Sequence, residues 1–138
     1  MKRTFTTAIL MMMACIAFPQ ANPQPDYKTY FSDATMRVDY FHTGTADEEH
    51  FSVDRIINDG VWAGSKKQLL DHLNRGLYFF EVRDIASGKP LYSRGFASIF
   101  GEWQTIPEAK TQWGTFHESA RFPWPKEPVE LLIFKRDE

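Results

Sequence analysis

Between Leu77 and Phe100 two aromatic-rich runs alternate around a turn, and this stretch restricts the possible folds more than any other. Tyr78, Phe80 and Val82 fall on one face of the first run, and Phe79, Glu81 and Arg83 on the other. Such residues suit a pleated, half-buried surface. Ile85 to Pro90 reads as the turn, with Gly88 supplying a positive φ. The second run, Leu91 to Phe100, leads into Phe-Gly-Glu-Trp-Gln-Thr. Two strands about such a turn predict an antiparallel hairpin at the centre of a β-fold.

The flanking sequence extends the pattern. Thr35 to His42 predicts a strand with Met36, Val38 and Tyr40 on one side, and Thr43 to Asp47 a turn. Glu48 to Ile57 alternates through Phe51, Val53 and Arg55 until Asn58-Asp59-Gly60 stops it. Trp62 should anchor the loop that follows. Lys66 to Asn74 has helical spacing at Leu69, Leu70 and Leu73, and a single turn or crossover loop fits it equally well. Ile106 to Thr111 reads as a surface connection, and Gly114 to Phe122 as an exposed or edge strand. Pro123, Trp124, Pro125 and Pro128 predict a rigid break. Val129 to Arg136, apolar on both faces, predicts a central strand. The sum is an all-β antiparallel sandwich, immunoglobulin-like or jelly-roll-like, with at most one short helix.

The N-terminus has a different character. Lys2 and Arg3 precede an apolar run from Ala8 to Phe18, about 11 residues, the length of a secretory hydrophobic region. A bilayer span needs roughly 20. Residues 1–21 are therefore expected to be a signal peptide cleaved after Ala21, residues 22–33 a linker and 34–138 the sandwich. A lipoprotein cut before Cys15, leaving a lipid anchor, is the competing reading, and simple export is preferred. The expected location is periplasmic, secreted or surface-associated. Cleavage after residue 21 of 138 leaves 117 residues, one domain by length. Cys15 is the sole cysteine, so the mature domain is expected to lack disulfides and thiolate metal ligands. Without Lys2 and Arg3 the chain keeps 14 basic and 18 acidic residues, a balance that argues against nucleic-acid binding.

Chemistry-bearing motifs are sparse. His117-Glu118-Ser119-Ala120-Arg121 resembles half of a zinc-protease helix motif, but Arg121 stands where the second imidazole is required. The group Asp39, His42, Asp47, Glu48, Glu49 and His50 reads as a solvated, charged turn without metal-ligand spacing. A metal on His42, His50 or His117 would contradict this reading. Gly64-Ser65-Lys66 lacks the rest of a phosphate loop, and no serine sits in a nucleophile elbow. His72 reads as a polar-face residue. No catalytic residue, metal ligand or cofactor is expected. Trp62 is assigned to the core, whereas Trp103, Trp113 and Trp124, in polar or proline-rich surroundings, are candidates for a protein- or carbohydrate-binding surface.

Four strings carry a resemblance: MRVDYFHTG from Met36, DGVWAGSKKQLLDHLNRGLYFFEVRD from Asp59, LYSRGFASIFGEWQT from Leu91 and TFHESARFPWP from Thr115. In this order they resemble the N-terminal domain of the IgA-peptidase family of secreted bacterial zinc metallopeptidases, over Tyr30 to Asp137. The most specific part is Ser93-Arg94-Gly95-Phe96 through Phe100-Gly101-Glu102-Trp103-Gln104-Thr105. The resemblance implies a β-sandwich preceding a separate catalytic domain that carries the zinc motif. None of that motif's ligands maps onto these residues. Expected, then, is a non-catalytic exported accessory domain for folding, spacing or substrate docking. Its implied partner is a peptidase catalytic domain or a protein or glycan substrate. The sequence stops at Glu138, which suggests a truncated member, a stand-alone copy or one segment of a longer product. A self-sufficient carbohydrate- or protein-binding module is the alternative.

Overall fold

The computed structural model describes residues 23–136; the expected signal peptide and Cys15 lie outside them. In chain order the elements are α1 (Tyr27–Tyr30), β1 (Phe31–Gly44), β2 (Glu49–Asn58), β3 (Tyr78–Asp84), β4 (Pro90–Phe96), α2 (Ile99–Trp103), a 3-10 turn (Pro107–Lys110), β5 (Gly114–Pro125) and β6 (Val129–Lys135). The strands form two antiparallel sheets of three, ordered β2-β1-β5 and β4-β3-β6. The fold is an all-β sandwich, as expected. No described helix is long and apolar enough to cross a membrane.

The hairpin takes its expected place. Gly88 turns it at φ +67°, and the Asp84 carboxylate accepts from the Ser87 amide at 2.9 Å. Tyr78, Phe80 and Val82 point inward and are buried. Facing them from the other sheet are Val38, Tyr40, Ala120 and Phe122, and rings of Phe80, Tyr92 and Phe122 meet at centroid distances of 5.8–6.5 Å. Ring burial of this kind stabilises the core through the apolar area each ring removes from water.

Several expectations need correction. Two short α-helices replace the single one allowed for, and neither lies at Lys66–Asn74. That segment is an irregular strap along the edge of β4: the Ser93 amide donates to the Leu69 carbonyl at 3.0 Å, and the Gly95 amide to the Asp71 carboxylate at 2.7 Å. Leu69 is fully buried while Leu73 is exposed, because one face of a strap is not one face of a helix. Satisfying an open sheet edge outweighs a weak local helical preference. β1 begins at Phe31, earlier than the expected Thr35, and Phe31 is itself core. β5 is an edge strand, as expected, but it runs through Pro123 and Pro125, which an edge tolerates. β6 is not central: β3 is, and β6 lies at the sheet's edge despite apolar residues on both faces.

Candidate functional site

The group read as a solvated turn is instead partly interior. His42 sits on the inner face of β1 and has no exposed surface. Its ring is stacked between Phe51 and Phe100, at centroid distances of 4.1 and 4.0 Å, with Tyr78 edge-on at 5.4 Å. Nδ1 lies 3.1 Å from Glu118 Oε2 on β5, and Nε2 lies 2.7 Å from Glu49 Oε1 on β2. A neutral imidazole has one N–H, yet both ring nitrogens face carboxylate oxygens.

The knot continues in both directions. Glu118 Oε1 accepts from the Phe100 amide at 3.3 Å. Glu49 Oε2 accepts from Lys135 Nζ at 2.6 Å, and the same ammonium donates to Gln104 Oε1 at 2.7 Å. Lys135 points inward from β6, opposite Tyr78, so this contact ties one sheet to the other. Gln104 Nε2 in turn donates to the Thr45 carbonyl at 2.9 Å. The Ser98 hydroxyl caps α2 by accepting from the Gly101 amide at 2.8 Å, and the helix thereby drives Phe100 into the core against His42.

Burial opposes ionisation of both Glu49 and Glu118, but their donors prevail. Lys135 and His42 hold Glu49 below the usual carboxylate range, and His42, the Phe100 amide and Tyr40 do the same for Glu118. Burial pushes the Tyr40 and Tyr78 hydroxyls up, with Glu118 and Glu49 adding to it. The Tyr78 hydroxyl faces Glu49 yet makes no hydrogen bond of ordinary geometry. The His42 contacts to Glu49 and Glu118 lie within the first sheet, and the Glu49–Lys135 pair carries the link to the second.

The outer face of the first sheet carries a second group. Asp39, almost fully buried, accepts from Arg37 at 2.9 and 3.2 Å and from Arg55 at 2.9 Å. These donors hold its carboxyl low, Arg55 contributing first and Arg37 next. His117 Nε2 lies 3.1 Å from Asp54, and ligand atoms of Asp39, Asp54 and His117 fall within 4.8 Å of one another. A cation there would have to displace two guanidinium groups from Asp39. His117 and Glu118 point to opposite faces of a strand, whereas the zinc-protease motif needs both on a helix. His42, His50 and His117 are not brought together: His42 lies inside, His117 outside, and His50 at the start of β2 stacks on exposed Trp113 at 6.1 Å.

The three candidate tryptophans are likewise dispersed. Trp103 packs on Phe100 and Phe116, 5.7 and 5.8 Å between centroids, and Trp113 is exposed. Trp124 belongs to the far end of β5, roughly 35 Å along the strand from Trp113. Trp62 packs edge-on against Tyr92 at 5.7 Å and is partly buried. Sequence reasoning missed the knot. The available signal was Glu118, alone among Phe116, Ala120 and Phe122 on an inward alternation.

The fold is a six-stranded antiparallel sandwich whose two sheets are linked by the Glu49–Lys135 pair beside buried His42. The sequence model for Peptidase M64 N-terminus matches residues 26–138. The chain therefore belongs to the Peptidase M64 N-terminus family, and the string Phe100 to Thr105 that carried the resemblance builds α2 and the knot's cap. No curated protein matches the chain.

Proposed function

We propose that this chain is an exported, non-catalytic accessory domain of an M64 zinc peptidase, docking on and supporting the catalytic portion. The family match across residues 26–138 carries the reading, since that family is defined as a peptidase N-terminus. The site geometry supports it: His42, in the most histidine- and carboxylate-rich locus, is fully buried between carboxylates of its own sheet, and Glu49 carries the link to Lys135 on the other. The basic start and the apolar run at Ala8–Phe18 support the export part of this reading.

Two assays test this reading. Purified protein should hydrolyse no peptide substrate, with zinc added or with a chelator present. A separately produced M64 catalytic domain should gain thermal stability or activity when the chain is added. Metal-dependent turnover by the chain alone would overturn the non-catalytic assignment, and an indifferent catalytic domain would overturn the accessory role.

A further inference from the structure

The strap that covers the edge of β4 also bounds a cavity. Side chains from residues 68–75 of the strap and 93–95 of β4 line a volume of about 490 Å³, within the range of small-ligand sites. The strap is seated closely here: a Cβ on Gly95 would lie 2.1 Å from the Arg75 carbonyl oxygen.

Acceptors in this lining are engaged, whereas donors are open. Asp71 is its one acid. Burial opposes ionisation of Asp71, but the amides of Gly95, Leu73 and Asn74 prevail and hold its carboxyl below the usual range. The Gly95 and Leu73 amides donate to it at 2.7 and 2.8 Å, so backbone takes up both of its oxygens. Gln24 Oε1 accepts from the Leu69 and Leu70 amides at 2.7 and 2.8 Å. Its amide nitrogen must therefore donate to His72 Nε2, 2.7 Å away, which leaves the proton of the neutral ring on Nδ1. Buried Ser93 accepts from the Asp71 amide at 2.9 Å. Among the described residues nothing accepts from its hydroxyl or from His72 Nδ1, and the Arg75 side chain has no partner. Arg94 uses only Nε, on the Tyr92 hydroxyl at 3.1 Å, and its guanidinium lies 5.9 Å from the centre of that ring. That contact steadies the group and leaves its other nitrogens free.

Arg75 and Arg94 against Asp71 give the lining a net charge of +1 with His72 neutral (2 − 1 = +1). Arg136 also reaches the strap, but it donates to the Asn74 carbonyl and lines a separate cavity. We infer that the strap cavity binds the carboxylate of a peptide, from an Asp or Glu side chain or a chain terminus. Arg75 and Arg94 take its charge, and His72 Nδ1 donates beside them. Three features select this ligand. Apart from Gln68, which offers both, the open side-chain groups are donors, and a carboxylate only accepts. A net +1 matches one carboxylate, while a phosphate group brings about −1.5 to −2. Leu70 and Leu73 supply aliphatic walls, and no aromatic ring lines the cavity among the described residues, which suits an aliphatic stem rather than a stacked sugar. This inference stands apart from the accessory role proposed above.

The test titrates the protein with four probes while following amide NMR shifts: N-acetyl-Ala-Glu-Ala-amide, its Gln counterpart, N-acetyl-Ala-Ala-Ala with a free terminal carboxylate, and inorganic phosphate. At least one carboxylate peptide should shift the amides of His72, Arg75 and Gly95 saturably at millimolar concentration, and the tighter of the two names the carboxylate's source. Arg75→Gln should weaken that binding about fivefold with Tm unchanged, and Arg94→Gln should weaken it similarly. Arg55→Gln, on the other sheet, should bind as the parent does. Equal binding of the Gln peptide would overturn the carboxylate, and tighter binding of phosphate would overturn the single negative charge. Binding unaffected by both Arg75→Gln and Arg94→Gln would overturn the cavity as the site. No saturable shift with any probe would overturn the inference outright and leave the accessory role standing.

Discussion

Replacing His42 with alanine probes the knot most directly. The side chain has no exposed surface, touches three aromatic rings and lies 2.7 and 3.1 Å from two carboxylates. Removing this fully buried ring leaves a cavity and takes a hydrogen-bond partner from the two carboxylates, together costing about 3–5 kcal/mol. Glu49 keeps Lys135 and Glu118 keeps the Phe100 amide, which holds the loss within that range rather than above it. A domain of this size has a total stability of roughly 5–15 kcal/mol, so the variant surrenders a large share. With a urea m-value of about 1.5 kcal/mol/M, the unfolding midpoint should fall by about 2 M or more. Urea denaturation followed by tryptophan fluorescence measures this. His42→Phe separates the contributions: it refills the slot between Phe51 and Phe100 but donates to neither carboxylate, so it should recover part of the loss only. A cost below about 1 kcal/mol for His42→Ala, or a His42→Phe midpoint equal to the parent's, would refute the assignment of the His42 contacts as a stabilising knot.

Other outcomes follow from the same contacts. Glu49 and Glu118 have folded-state values held low, so their contribution is complete above the unfolded value of about 4.3 and is lost as pH falls through the folded values. The urea midpoint should therefore drop between pH 6 and pH 3, and a flat profile would contradict this. Tyr78→Phe removes a buried hydroxyl without a well-formed hydrogen bond and should leave stability unchanged or raise it by about 1 kcal/mol; a loss above that would show the hydroxyl to be well satisfied. Gly76 has φ +93°, and a Cβ there would lie 2.2 Å from the Phe96 carbonyl oxygen, whereas Gly88 at φ +67° faces open space. Gly88→Ala should cost about 1–2 kcal/mol for the left-handed backbone alone, and Gly76→Ala clearly more; equal Tm losses would deny the close approach of strap and β4.

Some of this architecture is written locally. The alternation of Tyr78, Phe80 and Val82, the Gly88 turn and the period-two pattern from Met36 to Tyr40 specify strands and their buried faces, because side-chain direction in a strand depends only on position parity. The family strings were also legible, and residues 26–138 match accordingly. Which strand lies next to which was not. β6 has the composition of a central strand yet ends up at an edge, since neighbours are chosen by long-range pairing that no local pattern encodes. The same holds for the knot: Glu118 and Lys135 lie far along the chain from His42 and Glu49, and each of the four alone looks like an ordinary surface residue. Only the packing of the sheets and α2 closes His42, and most of Glu49 and Glu118, off from water, and that burial joins residues unremarkable in the sequence into one network with Lys135 at its rim.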